Sequence, residues 1–388
     1  MSRKRILWLC SWYPNRTDPF DGDFIQRHAR AAALLHDIHV IRVIGDPDLP
    51  PGKNDVQISQ QTGLTEQLIY IGKTNSLAGR SFFYLRWNQQ FRKAVQDYIN
   101  VFGKPDWVHV HVPYPAGRIA LWVKQKYGVP FVVTEHWTIY QPGNAISYQQ
   151  QPVRLRKLVY RVMKETSRFL PVSADLGQRV NQLVTPVSCA VIPNVVDTDL
   201  FYLQEKRYNP DQVFLFIHVS GMSTQKNPEG LLRAFAAAYS EDSQIRLLML
   251  GNRDDSLLRF AETFGLPAGT IRFGGEVSYP EVAREMQQAD ALVLFSNMEN
   301  APCVISEALC CGLPVIATET GGIPEMINDK NGLLVQPGNE TDMKKALLNL
   351  KENIYRYNRD LIASGAKELY SYEKVSAAFS TVYKNLLS

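Results

Sequence analysis

Two glutamates eight positions apart, Glu299 and Glu307, bracket the segment of this 388-residue sequence best suited to chemistry. The segment joins an apolar run at 291–295 to a helix-like run at 304–309, so Glu299 is predicted in a strand-to-helix turn and Glu307 inside the helix. Backbone N–H groups at a helix N-terminus bind anions. A phosphate there, with a carboxylate on either side, suits a nucleotide-sugar that carries hydroxyl groups at both ends of a diphosphate. The alternative is a pair of solvated acids beside a surface turn.

Strand-like and helix-like segments alternate along both halves of the chain. The predicted strands are the short apolar runs 5–10, 38–43, 107–112, 130–134 and 169–172, then 213–217, 245–250, 270–273, 291–295, 314–317 and 332–335. Apolar strands that alternate with helices predict an α/β protein with parallel, doubly wound sheets covered on both faces. Ligands of such sheets bind beyond the carboxyl ends of the strands, and two facing sheets would form a cleft. Turn signals at 192–201 and the polar stretch 204–211 predict the domain boundary.

Composition indicates an ordinary globular protein with an uneven charge distribution. The chain has 42 basic and 38 acidic residues, yet residues 1–200 contain 24 basic and 15 acidic ones. A basic half favours an anionic membrane or a nucleic acid as partner. The five cysteines show neither a disulfide framework nor a metal-ligand spacing. The sequence shows no signal peptide and no run that would span a bilayer, so the predicted location is the cytoplasm.

The Glu-x7-Glu element resembles that of the retaining glycosyltransferases of family 4, which have the GT-B fold. Further segments match that family in order: the interdomain run at 192–201, the run after the second glutamate at 308–316, and the closing turns at 321–325 and 331–335. The resemblance implies two Rossmann-like domains facing across a cleft. Residues 1–195 would form the acceptor side, residues 205–371 the donor side, and the last helix, about 372–388, would pack back on the first domain.

The resemblance also implies roles for residues of the second half. Glu307 would accept hydrogen bonds from the donor ribose, and Glu299 would bind the hydroxyl groups of the donor sugar. Lys226 would neutralise the diphosphate and stabilise the leaving nucleotide. The family usually places an arginine at the start of that loop, where this chain has Gly221 or Met222. The backbone facing the sugar and diphosphate would come from four consecutive residues, Asn300, Ala301, Pro302 and Cys303.

Two residues of the first half complete the predicted site. Gly22 precedes the first helix, where a glycine lets backbone approach a phosphate or a sugar closely. His111 ends the strand that contains His109, and period two places both histidines on one face. The resemblance implies that His111 lies beside the reacting sugar; the alternative is a half-buried structural histidine. Glu135 and His136, after the next strand, are second candidates.

Two segments of the basic half mix cations with apolar residues. These are 80–93 and 154–161, and in the second the apolar positions 155, 158 and 159 lie on one side of a helix and the cations on another. Either segment could lie on an anionic membrane, or form an amphipathic helix packed on its own domain. Nucleic acid is not an expected partner, because the other motifs indicate a sugar donor.

The predicted activity is a metal-independent, retaining transfer of a sugar from a UDP- or GDP-sugar to an acceptor hydroxyl group. His111, Glu299 and Lys226 are the predicted catalytic residues, and neither a metal nor a cofactor is expected. The acceptor would be a glycan or a lipid-linked sugar in bacterial cell-surface polysaccharide or glycolipid synthesis, reached at the inner face of the membrane. The alternatives are a nucleotide-sugar epimerase of the same fold and a non-catalytic nucleotide-sugar binder, which the missing arginine favours.

Overall fold

The computed structural model describes residues 3–73, 77–205 and 213–385, and its chain divides into two compact units. The first unit takes the chain up to Tyr140, then Ile146–Val195, then the chain from Tyr372 onward. The second unit takes Gln141–Ala145 and Val196–Ser371. The change of unit at residue 196 falls within the turn-rich run at 192–201, whereas most of the polar stretch 204–211 lies outside the described residues.

The first unit is built on a seven-stranded sheet in the order β3-β4-β2-β1-β5-β6-β7. All neighbours are parallel except β3, which pairs antiparallel with β4. Neither strand of this edge hairpin was predicted: β3 is polar and exposed over almost its whole length, and β4 was missed although it is largely buried. The strands are β1 (Arg5–Cys10), β2 (Asp37–Asp46), β3 (Asn54–Gln61), β4 (Leu64–Gly72), β5 (Trp107–His111), β6 (Phe131–Glu135) and β7 (Arg168–Pro171).

Helices cover both faces of this sheet. They are α1 (Asp23–Ala33), α2 (Leu77–Phe102), α3 (Gly117–Tyr127), α4 (Val153–Glu165), α5 (Ala174–Leu183) and, from the end of the chain, α12 (Tyr372–Asn385). The connection β1-α1-β2 runs one way along the sheet, and the connections through α2, α3 and α4 run the other way. Right-handed crossovers therefore put α1 on one face and α2, α3 and α4 on the opposite face.

The last helix, α12, packs with α1 on the first unit. Phe379 lies edge-on against Trp8 of β1, with ring centroids 5.9 Å apart, and the hydroxyl of Tyr383 is 2.7 Å from Nδ1 of His109. Val375, Phe379 and Tyr383 are fully buried. An amphipathic helix that buries its aromatic face is held by hydrophobic burial rather than by helix propensity.

The second unit contains a six-stranded, fully parallel sheet in the order β10-β9-β8-β11-β12-β13. The strands are β8 (Phe214–Val219), β9 (Ile245–Leu250), β10 (Ile271–Gly275), β11 (Ala291–Leu294), β12 (Val315–Thr318) and β13 (Gly332–Val335). The helices are α6 (Pro228–Tyr239), α7 (Asp255–Glu262), α8 (Tyr279–Gln288), α9 (Cys303–Cys310), α10 (Glu340–Glu352) and α11 (Arg359–Tyr370). These bounds match the predicted strands of the second half within about two residues, as expected of apolar runs buried on both faces.

Each sheet reverses its strand order at one point, and ligands of doubly wound sheets bind there. In the first unit the reversal lies between β1 and β5, and in the second between β8 and β11. Gly22, Lys226 and residues 299–302 lie in the loops after β1, β8 and β11. His111 ends β5, and Cys303 and Glu307 lie in α9. Among the described helices, none combines the length and the apolar character needed to cross a membrane.

Candidate functional site

In the second unit, the loops after β8 and β11 are fastened to each other. The backbone N–H of Asn297 donates to the carbonyl of Gln225 at 2.8 Å, and the Gln225 side chain returns a bond to the carbonyl of Met298 at 3.0 Å. Lys226 and Glu299 follow these residues in their loops. The neighbouring carboxyl ends of β8 and β11 thus bring together two predicted site residues that are 73 positions apart.

Lys226 and Glu299 form an ion pair in which Nζ lies 2.5 Å from Oε1. The glutamate is 4% exposed, and the lysine side chain keeps about a fifth of its surface open. A short 3-10 turn, Thr224–Lys226, holds the lysine, and Asn227 ends that turn in the left-handed region and caps α6. The arrangement places one cation and one carboxylate side by side at the point where the strand order reverses.

The turn between β11 and α9 depends on a glycine pair. Gly321 has φ +55°, and a Cβ on it would lie 1.8 Å from the carbonyl oxygen of Glu299. The N–H of Gly322 donates to the carbonyl of Asn300 at 2.8 Å, and the side chain of Gln141 donates to Oδ1 of Asn300 at 2.9 Å. The backbone of Gly321 lies so close to the carbonyl of Glu299 that only glycine fits there, which explains the glycine in the predicted turn at 321–325.

Helix α9 begins at Cys303, with Pro302 as its N-cap residue and no side-chain cap. The N–H of Ile305 donates to the carbonyl of Pro302 at 3.1 Å, and the N-terminal end of the helix follows directly on the turn that contains Ala301. Glu307 lies one turn further on and is 5% exposed. The hydroxyl of Tyr279 donates to Oε1 of Glu307 at 2.7 Å. The predicted order of turn, helix N-terminus and second carboxylate is thus present in the second unit.

Tyr279 and Gln141 were not predicted from the sequence. Tyr279 begins α8, 28 positions before Glu307, and it packs on Phe201 with ring centroids 4.8 Å apart. Gln141 belongs to a five-residue piece of chain that clusters with the second unit although its neighbours in sequence belong to the first. Neither residue lies in a motif, so only the tertiary structure associates it with the site.

A cavity of about 210 Å³ opens beyond the carboxyl ends of β9 and β10. Its lining includes Met222, Gly251, Asn252 and Gly275. Gly251 touches the loop after β8, since a Cβ on it would lie 1.6 Å from the carbonyl oxygen of Ser220. The resemblance leads us to expect an arginine where this chain has Gly221 or Met222, and the thioether side chain of Met222 is buried in the core of the second unit. An uncharged residue therefore lines this edge of the cavity.

In the first unit, Gly22 caps the start of α1 in the left-handed region, with φ 68°. A Cβ at this position would lie 2.8 Å from Cβ of Trp12 and 3.1 Å from its carbonyl carbon. The backbone at Gly22 is thus pressed against the loop that follows β1. A glycine is required here by chain packing alone, whatever ligand approaches it.

His111 lies at the carboxyl end of β5 and is fully buried. Its ring stacks on Trp8 with centroids 4.0 Å apart, and neither ring nitrogen has a hydrogen-bond partner among the described residues. Burial, and then the neighbouring His109, His136 and His28, hold the pKa of His111 well below 6.5. The imidazole is therefore neutral at pH 7, with one nitrogen able to donate and the other to accept.

Three histidines of the first unit form the group of described residues best able to hold a metal ion. One ring nitrogen each of His28, His111 and His136 lies within 4.8 Å of the others, and all three side chains are buried. The described residues of the second unit contain no comparable group. Glu135, the other second candidate, is occupied: it accepts from the backbone of His136 and Trp137 and from the hydroxyl of Tyr140. Burial raises the pKa of Glu135 to about 7.

Lowering the pH from 7 to 5 is expected to destabilise the first unit. Burial lowers the pKa of His28 from 6.5 to about 4, so the unfolded chain binds a proton in this window and the folded chain does not. Stability is lost as the pH falls below 6.5, by about 2 kcal/mol at pH 5 for one such histidine. Urea unfolding at both pH values measures the loss. His28→Gln should lose less than the parent, and an equal loss in both proteins would contradict the assignment.

Family models match both halves of the chain. Residues 24–200 match the model described as Glycosyltransferase Family 4. Residues 203–368 match the model described as Glycosyl transferases group 1. The two matches meet at residues 200–203, close to the change of unit at residue 196.

Curated relatives share about a quarter of their residues with this chain. N-acetyl-alpha-D-glucosaminyl L-malate synthase of Bacillus anthracis is 24% identical over 295 residues, which cover 73% of this chain and 75% of that protein. The putative teichuronic acid biosynthesis glycosyltransferase TuaC of Bacillus subtilis is 25% identical over 396 residues, which cover 97% of this chain and 94% of that protein.

Solved structures confirm the predicted fold. Sucrose-phosphate synthase from Thermosynechococcus elongatus has a TM-score of 0.78 at 18% identity, with 99% of each chain covered. Anabaena HepE in complex with UDP and glucose has a TM-score of 0.72 at 14% identity, with 98% of this chain and 100% of that chain covered. Two α/β domains with parallel sheets, of the GT-B type, are common to all three.

Proposed function

The chain belongs to the group 1 glycosyltransferases of family 4, and we propose that it transfers a sugar from a UDP- or GDP-sugar to an acceptor hydroxyl group with retention of configuration. The observation that carries this proposal is the Lys226–Glu299 pair, held at 2.5 Å where the strand order of the second unit reverses. A cation, a carboxylate and a helix N-terminus at one such point match a charged diphosphate that links two hydroxyl-bearing rings.

The donor would be held by contacts along its whole length. Glu307, which already accepts a hydrogen bond from Tyr279, would also accept hydrogen bonds from the ribose hydroxyls. The first-turn N–H groups of α9 and the ammonium of Lys226 take the diphosphate. The cavity lined by Met222 and Asn252 then receives the base. HepE was solved with UDP, which supports a uridine nucleotide as the first ligand to try.

The ion pair suggests how one lysine serves in place of the usual lysine and arginine. Before the donor binds, Lys226 is paired with Glu299. Sugar hydroxyl groups that donate to Glu299 loosen this pair, and the ammonium turns toward the diphosphate. Transfer thus begins only when sugar and diphosphate are both present, because either alone leaves one partner of a buried pair uncompensated.

Chemistry would take place on one face of the sugar. The bond from the anomeric carbon to the diphosphate oxygen breaks, the acceptor oxygen bonds to the same face, and a leaving phosphate oxygen takes the acceptor proton. Lys226 stabilises the charge that develops on the leaving diphosphate. Glu299 is engaged by Lys226 and by sugar hydroxyls, so we assign it to positioning rather than to nucleophilic attack. Neutral His111 would hydrogen-bond the sugar or the acceptor hydroxyl.

The acceptor would be a glycan or a lipid-linked sugar in cell-surface polysaccharide or glycolipid synthesis. TuaC, which aligns along nearly the whole chain, is described as a putative enzyme of teichuronic acid biosynthesis. Thermal-shift screening of nucleotide-sugars identifies the donor, because a ligand that binds only the folded state raises the melting temperature. Product analysis with and without acceptor then decides between the candidate activities.

The outcomes separate three functions. Transfer that requires an acceptor and keeps the anomeric configuration supports the proposal. Conversion of the donor to an epimer without acceptor would identify a nucleotide-sugar epimerase. Donor binding without any turnover would identify a non-catalytic binder, the alternative that Met222 in place of an arginine favours.

Activity is expected to survive chelation by EDTA. In the second unit, Lys226 and the N-terminus of α9 supply the positive potential that a metal ion would otherwise bring to a diphosphate. Initial transfer rates before and after EDTA treatment, with readdition of Mg²⁺ or Mn²⁺, measure this. Complete loss that either ion restores would overturn metal independence and make His28, His111 and His136 the first ligands to replace.

A further inference from the structure

The positive charge of the first unit is concentrated on one of its two helix layers. The described side chains of α2, α3 and α4 include eleven lysines and arginines against two acidic residues. On the opposite face of the sheet, α1 and α12 have four basic and two acidic residues. The excess positive charge of the first half of the sequence therefore lies on the outer surface of α2, α3 and α4.

Six exposed cations of this layer make no ion pair within the described residues, and we call the surface that they form the basic face. The two acids nearby do little to neutralise it. Glu165 is already shared between Arg161, at 3.0 Å, and Lys124, at 3.9 Å, and Asp97 stands alone on α2. The six cations are Lys93, Arg118, Lys126, Arg154, Lys157 and Lys164.

Helix α4 shows why these cations point outward. Leu155 and Val159 are buried against the first unit, as the sequence pattern predicted for an amphipathic helix. Arg154, Lys157 and Lys164 lie on the other side and are exposed. Ten residues separate the first from the last of these cations, so the row extends about 15 Å along the helix. A straight row of unneutralised cations of this length fits a flat anionic surface.

Exposed apolar side chains lie on the same layer. Phe82, Tyr84 and Leu85, near the start of α2, are 53%, 56% and 70% exposed, and Val153 at the start of α4 is 54% exposed. Each of these helices returns from the carboxyl end of a parallel strand, so its first turns lie at the carboxyl edge of the sheet. His111 ends β5 at that same edge. The apolar end of the basic face is therefore the end nearest the predicted acceptor side.

We propose that the basic face docks on an anionic membrane, with Phe82, Tyr84 and Leu85 entering the headgroup region and the row on α4 contacting acidic lipids. Cations beside exposed aromatic and aliphatic side chains are the features of interfacial binding. A nucleic acid would use the cations but would leave Leu85 and Val153 without a partner. Docking would hold the enzyme where a lipid-linked acceptor presents its hydroxyl group, and in this respect it rests on the proposed function.

Co-sedimentation of the full chain with vesicles tests the proposal. Vesicles of phosphatidylglycerol and phosphatidylcholine should bind the protein, and pure phosphatidylcholine should bind it weakly. Raising the salt from 50 to 500 mM should weaken binding, because it shortens the screening length from roughly 14 to 4 Å. The triple variant R154E/K157E/K164E should lose about 10²-fold in partitioning, since each cation at an anionic surface contributes roughly fivefold.

Two further variants and an RNA ligand make the result decisive. R259E/K345E/K367E carries the same charge change on exposed positions of the second unit and should bind nearly as the parent does. Leu85→Ser should also weaken binding to the vesicles, by a factor that does not depend on the salt concentration. Equal losses in both triple variants would overturn the basic face, as would unchanged binding of the first. Binding of a 20-nucleotide RNA but not of anionic vesicles would make the partner a nucleic acid.

Transfer to a water-soluble acceptor, measured without vesicles, keeps this proposal separate from the proposed function. The R154E/K157E/K164E variant should retain donor binding and soluble transfer, because its three side chains are exposed on α4 and none of them belongs to the predicted site. If the parent protein transfers sugar but does not bind anionic vesicles, the docking proposal is refuted and the proposed function is not. A parent that binds vesicles and transfers nothing would overturn the enzyme alone.

Discussion

Replacing Lys226 by methionine is expected to slow sugar transfer by about 10²–10³-fold, the usual cost of removing one group that stabilises charge in a transition state. The effect should fall on kcat, because the charge on the leaving diphosphate grows as the glycosidic bond breaks. The loop has no arginine to compensate, since Gly221 and Met222 fill the place where the family usually has one. Methionine keeps the length and the apolar stem of lysine and removes only the charge.

The same substitution removes the partner of a buried carboxylate. Glu299 is 4% exposed, so Lys226→Met should also lower the melting temperature of the protein. Combining it with Glu299→Gln should recover most of that stability without recovering activity. Lys345→Met, at an exposed position on α10, is the matched control and should change neither quantity. A Lys226→Met protein that keeps kcat within threefold of the parent would refute the leaving-group role.

Replacing Glu307 by alanine is expected to weaken the binding of both the donor and the free nucleotide. A hydrogen bond to a charged acceptor contributes about 1.5–3 kcal/mol, so one lost ribose contact corresponds to roughly 10- to 150-fold in Kd. The structure refines this expectation, because one carboxylate oxygen already accepts from Tyr279 at 2.7 Å. A carboxylate can accept several hydrogen bonds, so this contact is compatible with the ribose contact that we assign to Glu307.

Tyr279→Phe is the control that this geometry offers. It removes the 2.7 Å contact and leaves the carboxylate in place, so it should change Kd far less than Glu307→Ala. Titration calorimetry with UDP, GDP and the preferred donor measures all three proteins, and circular dichroism checks that α9 is intact. Nucleotide that binds Glu307→Ala as tightly as the parent would remove Glu307 from the donor site.

The ion pair between Lys226 and Glu299 shows what local sequence motifs can and cannot predict. Both residues were chosen from motifs in their own loops, and the apolar strands before them predicted that each loop lies at a carboxyl edge. The two residues are 73 positions apart in the chain, and their contact at 2.5 Å depends on β8 pairing directly with β11. The order of strands in a sheet depends on how the whole sheet buries its faces, so a local motif cannot predict which strands become neighbours.

The edge hairpin and Gly22 mark two other limits. Strand β3 was not predicted because an exposed edge strand needs no apolar residues. A strand buried on both faces, such as β11, is apolar at every position. Gly22 was selected for a ligand, yet the packing of Trp12 against its backbone is enough to require glycine. A sequence shows that a position needs glycine, and the surrounding atoms show which neighbour imposes the need.

The sequence by itself determined the class of the fold, the approximate bounds of most buried strands except β4, and the turn and helix that contain Glu299 and Glu307. These features depend on periodicity and on turn chemistry over a few neighbouring residues. Only the tertiary structure decided that Tyr279 supports Glu307, that three histidines meet in the first unit, and that the basic excess gathers on α2, α3 and α4. Such contacts arise where distant segments bury their surfaces together, and that burial is a property of the whole folded chain.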